Sequence, residues 1–223
     1  MSDSKEIQTM FEAGVHFGYS RATAHPSMSP YLYGIKDGVS IFDLEKTQSK
    51  LEEAKAFLGE VSKTGKVVFV SSKNESQSLI KSAAEKTNMP YVITRWIGGT
   101  ITNFGEISKR ITKLERMTDQ REKGEFDKFT KKERLDRDRE INKLEKFYGG
   151  LLGMKELPKA IVLVDPNEEH VAVKEAADKN IPVVAIASSD SNTEQIKYVI
   201  PANDSSRASI ELLLSQLSSA IKS

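Results

Sequence analysis

Lys73 in "SSKNES" (71–76) and Asp165 in "VDPNEEH" (164–170) each follow a β-branched run, and that placement suits two chemistries. A loop that turns from a strand into a helix presents backbone N–H groups to a phosphate. A carboxylate at a strand end is a common catalytic acid and an equally common turn residue. The phosphate reading lacks its companions, because neither G-x-G-x-x-G nor the P-loop pattern is present. Gly98-Gly99 before Thr100, and "GGLLGM" (149–154), fit neither pattern and read as tight turns. Glu168, Glu169 and His170 start and line a helix better than they bind metal, since no second histidine or further ligand set joins them. Three histidines and no cysteine leave little for metal or thiolate chemistry. The expectation is no catalytic residue, no metal and no cofactor.

A different chemistry is written in "RWIGGTITNF" (95–104), where a fixed charge and the chain's single tryptophan precede two glycines. The following segment, 106–149, carries 14 Lys or Arg and 11 Asp or Glu, a local excess of three positive charges in a chain whose net charge is +1. Overall charge gives no global attraction to nucleic acid, so any basic surface arises by local sorting. Lys109, Arg110, Lys113, Arg116, Lys131, Lys132, Arg137 and Arg139 are available there for phosphates. The plainer alternative is a solvated face with weak i,i+4 pairs.

The elements that position these groups follow from periodicity. Ile107, Ile111, Leu114 and Met117 form one helical stripe, the seam of a two-helix pair. Asn103 and Glu106 read as a first N-cap with a reciprocal acid, and Thr130 and Glu133 as a second. The first helix runs to about Arg121 or Glu122, and "KGEFDKF" turns the chain with two phenylalanines closing the tip. Leu135, Ile141, Leu144 and Phe147 mark the second helix, which Gly149-Gly150 ends. Arms of about 19 residues extend roughly 28 Å.

Outside this hairpin, "VVFVS" (67–71), "YVIT" (91–94), "AIVLV" (160–164), "VVAIA" (183–187) and "YVI" (198–200) read as buried parallel strands. Helices at about 47–62, 74–87, 168–179 and 205–222 alternate with them, which predicts an α/β sandwich. "YLYGIKDGVSIF" (31–42) predicts a small β-hairpin turning at Asp37-Gly38. The chain divides into a discontinuous globular domain, 1–103 with 151–223, and a helical hairpin, 104–150. The hairpin leaves after the second strand of the parallel set and returns before the third, so it springs from the carboxyl edge where open α/β sheets place ligands. No stretch reaches the length of a membrane span, and "MSDSKEIQTMFEAG" has no basic start with an apolar run. The expectation is a soluble cytoplasmic protein without a membrane partner.

Four stretches resemble the bacterial small-subunit ribosomal protein S-two family: "MFEAGVHFG" (10–18), "RWIGGTITNF", "LPKAIVLVDPNEEHVAVKEAADKNIPVVAI" (157–186) and "VIPANDSSRASI" (199–210). The third stretch has the family's spacing from Pro158 through Asp165, Glu169 and Glu175 to Ile181-Pro182. The resemblance implies a flavodoxin-like three-layer α/β/α sandwich with an inserted antiparallel coiled-coil hairpin, and no catalysis. It implies a place in the small ribosomal subunit, between head and body on the solvent side. The implied partners are ribosomal RNA, neighbouring small-subunit proteins and ribosomal protein S-one, which captures messenger RNA; no homo-oligomer is expected. The sequence departs from the family where Tyr19 replaces a usual histidine, where "SSDSNT" (188–193) replaces an acidic loop, and where Ala202 replaces a glycine.

His16, Tyr19, Arg21, Lys73, Arg95 and Trp96 complete the RNA-binding candidates beside the hairpin cations. Tyr19 and Trp96 are placed to stack on unpaired bases, with packing as the other reading of each ring. His16 reads first as a structural residue. Two rival functions stay open at this level. One is a nucleotide- or sugar-phosphate-binding α/β enzyme using Lys73 and Asp165, and the other is a scaffold that binds only protein through the hairpin.

Overall fold

The computed structural model describes residues 2–221. Five short apolar runs become the parallel sheet: β4 (Val67–Val70), β5 (Tyr91–Val92), β6 (Ala160–Val164), β7 (Val183–Ala187) and β8 (Tyr198–Pro201), in the order β5-β4-β6-β7-β8. Burial of β4, β6 and β7 is complete because both faces are covered, and alternation along each strand divides the side chains between two apolar layers. Val67, Phe69, Val162, Val184 and Ile200 face a layer built by α2 (Leu44–Val61), α3 (Asn74–Thr87) and α7 (Arg207–Ala220), with Met10 of α1 (Ser2–Glu12) behind it. Val68, Val70, Ile161, Leu163 and Ala185 face the other layer, which α6 (His170–Asp178) lines with Ala172, Val173 and Ala176. The result is the expected three-layer α/β/α sandwich.

A second sheet of three antiparallel strands, order β1-β3-β2, joins β1 (Phe17–Ser20), β2 (Leu32–Lys36) and β3 (Val39–Phe42). Asp37 and Gly38 both take positive φ, 51° and 79°, the conformation that closes a two-residue hairpin in step with strand twist. Neither α1 nor β1 was expected from periodicity.

The charged segment folds as α4 (Phe104–Glu122) and α5 (Lys131–Tyr148), which pack side by side through Ile107, Ile111, Leu114 and Met117 against Ile141, Leu144 and Tyr148. Thr130 and Glu133 form the reciprocal cap: Thr130 Oγ1 accepts the Glu133 N–H at 3.4 Å and Glu133 Oε2 accepts the Thr130 N–H at 2.9 Å. The tip closes on Phe126, which is buried and lies edge-on to Phe129 at 6.2 Å.

Three local expectations are corrected. Asn103 precedes α4 but makes no side-chain capping bond, and Glu106 turns to Lys109 at 2.6 Å. Leu135 is 50% exposed, because the seam passes through Ile141, Leu144 and Tyr148 on a different face of α5. β5 stops at Val92, since it is an edge strand that diverges toward the hairpin after two residues.

Candidate nucleic-acid interface

At the carboxyl edge of the parallel sheet, the loops after β4, β6 and β8 and the strand β1 meet at Lys73. Its Nζ lies 2.9 Å from Asp165 Oδ2 after β6 and 3.1 Å from Asp204 Oδ1 after β8, and it donates to Tyr19 Oη from β1 at 3.3 Å. Tyr19 Oη also donates to Asp204 Oδ1 at 3.2 Å and shares a 2.6 Å hydrogen bond with Ser205 Oγ. Burial would pull the Lys73 ammonium down, but the Asp204 charge and the Asp165 hydrogen bond and charge outweigh it and hold it well above the ordinary range. Asp204 is pushed up to about 6, first by its burial and then by the neighbouring Asp165 charge. Lys73 is therefore a fixed cation inside the protein.

The rest of this edge is filled by the chain itself. The Ser72 N–H donates to Glu169 Oε1, so the loop after β4 has spent a donor that a phosphate would need. Ser189 Oγ accepts the Tyr19 N–H at 2.8 Å, the His25 N–H donates to Ser189 O at 2.8 Å, and the Asn203 N–H donates to Val15 O at 2.9 Å. These bonds hold the "HFGY" segment across the place where an open sheet takes a ligand. A Cβ on Gly18 would stand 2.8 Å from Ser189 Oγ and 3.1 Å from Ser40 O, which explains a glycine at this crossing. Of "SSDSNT", Ser189 meets the Tyr19 backbone N–H, while the Tyr19 hydroxyl bonds Lys73, Asp204 and Ser205.

His16 sits between two rings, stacked on Phe11 at 4.4 Å and 7° and tilted by 38° to Phe17 at 4.0 Å. Burial, with the Lys36 charge behind it, holds its imidazole below the ordinary value and hence neutral at pH 7. Trp96 is also buried, with Nε1 donating to Glu175 Oε1 at 3.3 Å. Its ring is held by packing, and stacking on a base would need it to leave that site. Arg95 next to it is exposed, as is Arg21.

Glu175, which the sequence offered only as part of a family spacing, proves to be a positioning residue. Its carboxylate accepts the backbone N–H groups of Gly99 at 2.6 Å, Ile101 at 2.9 Å and Thr102 at 3.1 Å, and the Thr102 hydroxyl at 3.2 Å. Burial pushes this carboxylate up, but the hydrogen bonds from Ile101, Gly99, Thr102 and Trp96 prevail and hold it below 4.5. The "IGGTIT" turn is an anion-binding nest that α6 fills from within, and it fixes the root of α4. Gly99 takes φ +92°, which the nest requires. At the other root, a Cβ on Gly150 would overlap Tyr91 O, so only glycine lets the returning chain cross β5.

The hairpin cations divide by partner. Lys109 bonds Glu106, Lys113 bonds Glu140 and Arg139 lies 3.5 Å from Asp136. Arg137 stacks on Phe129 at 3.9 Å and over Phe126 at 5.5 Å, closing the tip. Arg110, Arg116, Lys131 and Lys132 are exposed and have no carboxylate within 4.0 Å among the described residues. Of the sequence candidates, Tyr19 and Lys73 thus lie inside the sheet edge, His16 and Trp96 are packed, Arg21 and Arg95 are exposed, and the remaining cations lie along α4 and α5.

A family model described as Ribosomal protein S2 matches residues 10–223. A relative from Francisella philomiragia subsp. philomiragia, named small ribosomal subunit protein uS2, is 41% identical over 96% of this chain and 90% of its own length. Proteins of the same name from Flavobacterium johnsoniae and Roseiflexus castenholzii are 40% and 42% identical, covering 99% and 96% of this chain and 87% and 82% of theirs.

Proposed function

We propose, from the premise that this chain belongs to the ribosomal protein S2 family, that it is a structural, non-enzymatic component of the small ribosomal subunit that binds ribosomal RNA there. The observation that carries the RNA reading is the set of exposed hairpin cations with no carboxylate within 4.0 Å among the described residues, Arg110, Arg116, Lys131 and Lys132. Each phosphate they neutralise releases counterions and strengthens binding in a salt-dependent way. We take 104–150 as the docking arm and the α/β sandwich as its rigid base. Arg21 and Arg95 supply further phosphate contacts beside the sheet edge.

Protein neighbours need apolar surface, and the N-terminal elements offer it. Phe11, Phe17, Tyr33 and Ile35 are large and exposed, Tyr33 at 83%, on or beside the three-stranded sheet. We assign protein contacts, docking of S-one among them, to these N-terminal elements. No helix among the described residues is long and apolar enough to cross a membrane.

Ultraviolet crosslinking of a tagged chain in growing cells, with sequencing of the attached RNA, tests the RNA reading. Small-subunit ribosomal RNA, depleted when Arg110, Arg116, Lys131 and Lys132 are changed together to Gln, supports it. Attachment to no RNA, or to RNA unrelated to the ribosome, contradicts it.

A further inference from the structure

Beside the root of the hairpin the two helices leave a concavity of about 580 Å³ whose walls carry Arg110 from α4 and Arg139 and Lys143 from α5. Its apolar lining is Ile97, Leu144 and the half-buried ring of Phe147. The one acid on its wall, Glu140, is already bonded to Lys113, and Arg139 shares an exposed pair with Asp136 at 3.5 Å, so Arg110 and Lys143, with no carboxylate within 4.0 Å among the described residues, give the groove its net positive charge. Arg139, Lys143 and Phe147 are four residues apart and lie along one stripe of α5, about 6 Å per step. Two cations at that interval match successive phosphates of a nucleic-acid strand, and a ring one step further along is placed for a base or ribose.

Resting on the RNA-binding reading above, we infer that this groove is a nucleotide-binding subsite for unpaired ribosomal RNA. Arg110, Arg139 and Lys143 hold the backbone phosphates, and one base packs on Ile97 and Phe147. Lys143, Ile97 and Phe147 become site residues that charge counting along the sequence does not single out. An acidic protein segment would satisfy the cations but would leave the apolar lining without an occupant of matching shape, whereas a base carries both a flat apolar face and an adjacent phosphate. The apolar seam between α4 and α5 sets the separation of the groove's walls, and Ile97 at its edge leads into the Glu175-held turn.

The test replaces Phe147 by photoreactive p-benzoyl-phenylalanine in the full chain and irradiates intact small subunits. The expected product is a nuclease-sensitive crosslink to ribosomal RNA. In parallel, the R110Q/R139Q/K143Q variant is washed from subunits over a salt series, with K143R as the charge-preserving comparison and urea midpoints to confirm folding. The triple variant should leave at a salt concentration at least twofold lower than the parent, and K143R should not. A crosslink to protein only, or no crosslink from a chain that is present in the subunit, overturns the groove while leaving the RNA-binding reading standing. Absence of the unmodified chain from the subunit overturns both.

Discussion

Glu175 Oε1 lies 2.6 Å from the backbone nitrogen of Gly99, across 76 residues of chain, and joins the middle of α6 to the turn that launches α4. A single carboxylate thereby sets the direction in which the hairpin leaves the sandwich. Replacing it with Gln keeps the size but offers one good acceptor where several donors converge. E175Q should cost about 2–3 kcal/mol in urea unfolding, the scale for hydrogen bonds to a buried charged group. The pH dependence has a definite sign. Because the folded carboxylate titrates below 4.5, its stabilisation is present above that value and is lost as pH falls through the lowered one. The difference in stability between parent and E175Q should therefore narrow as pH drops below 4.5.

Lys73 neutralises two carboxylates, so K73M should leave Asp165 and Asp204 facing each other without a cation. Breaking a pair this enclosed costs about 2–4 kcal/mol at pH 7.5. Asp204, raised from 3.8 to about 6, binds a proton in the folded chain before the unfolded chain does, so it costs stability at neutral pH and that cost fades as pH falls through 6 toward 3.8. The penalty of K73M should accordingly be smaller at pH 5 than at pH 7.5, measured by urea midpoints at both. A penalty that grows on acidification would contradict this arrangement.

Two glycines separate a packing requirement from a general preference. G150A places a methyl group into Tyr91 O and forces the chain crossing β5 to move, so it should destabilise by more than about 2 kcal/mol. G34A meets nothing within 4 Å at a position without positive φ and should stay within about 0.5 kcal/mol of the parent. Thermal unfolding of the two variants decides it.

The two caps read from sequence predict different outcomes now that their geometry is known. T130A removes a side chain that accepts the Glu133 N–H and should cost about 1 kcal/mol. N103A removes no side-chain bond to the helix and should cost only a few tenths. Equal losses from both substitutions would contradict the structure.

These contrasts show where sequence was readable and where it was not. Short β-branched runs such as 160–164 and 183–187 declared themselves because a doubly covered parallel strand has no solvent face to interrupt it. Thr130-Glu133 and Asp37-Gly38 were legible because the chemistry of a cap or a tight turn is local. Asn103 looked equally like a cap, yet the Glu106 N–H that its side chain would accept bonds the Asn103 carbonyl instead, and the turn before it is held by Glu175, a residue too far along the chain for spacing to connect them. The same distance hid Asp204 from Lys73 and Tyr19. Among the candidates for RNA, exposure divides what composition could not: Trp96 and His16 are packed, while Arg110 and Arg116 face outward. α1 escaped notice because its polar face dominates and few of its side chains, Met10 foremost, reach the core.

The central claim is membership of the small subunit, and sedimentation tests it most directly. A tagged full-length chain expressed in its own source should travel through a sucrose gradient at moderate salt with the small-subunit peak and be released progressively as salt is raised. A chain that stays at the top of the gradient as free protein, at every salt concentration, would contradict the account.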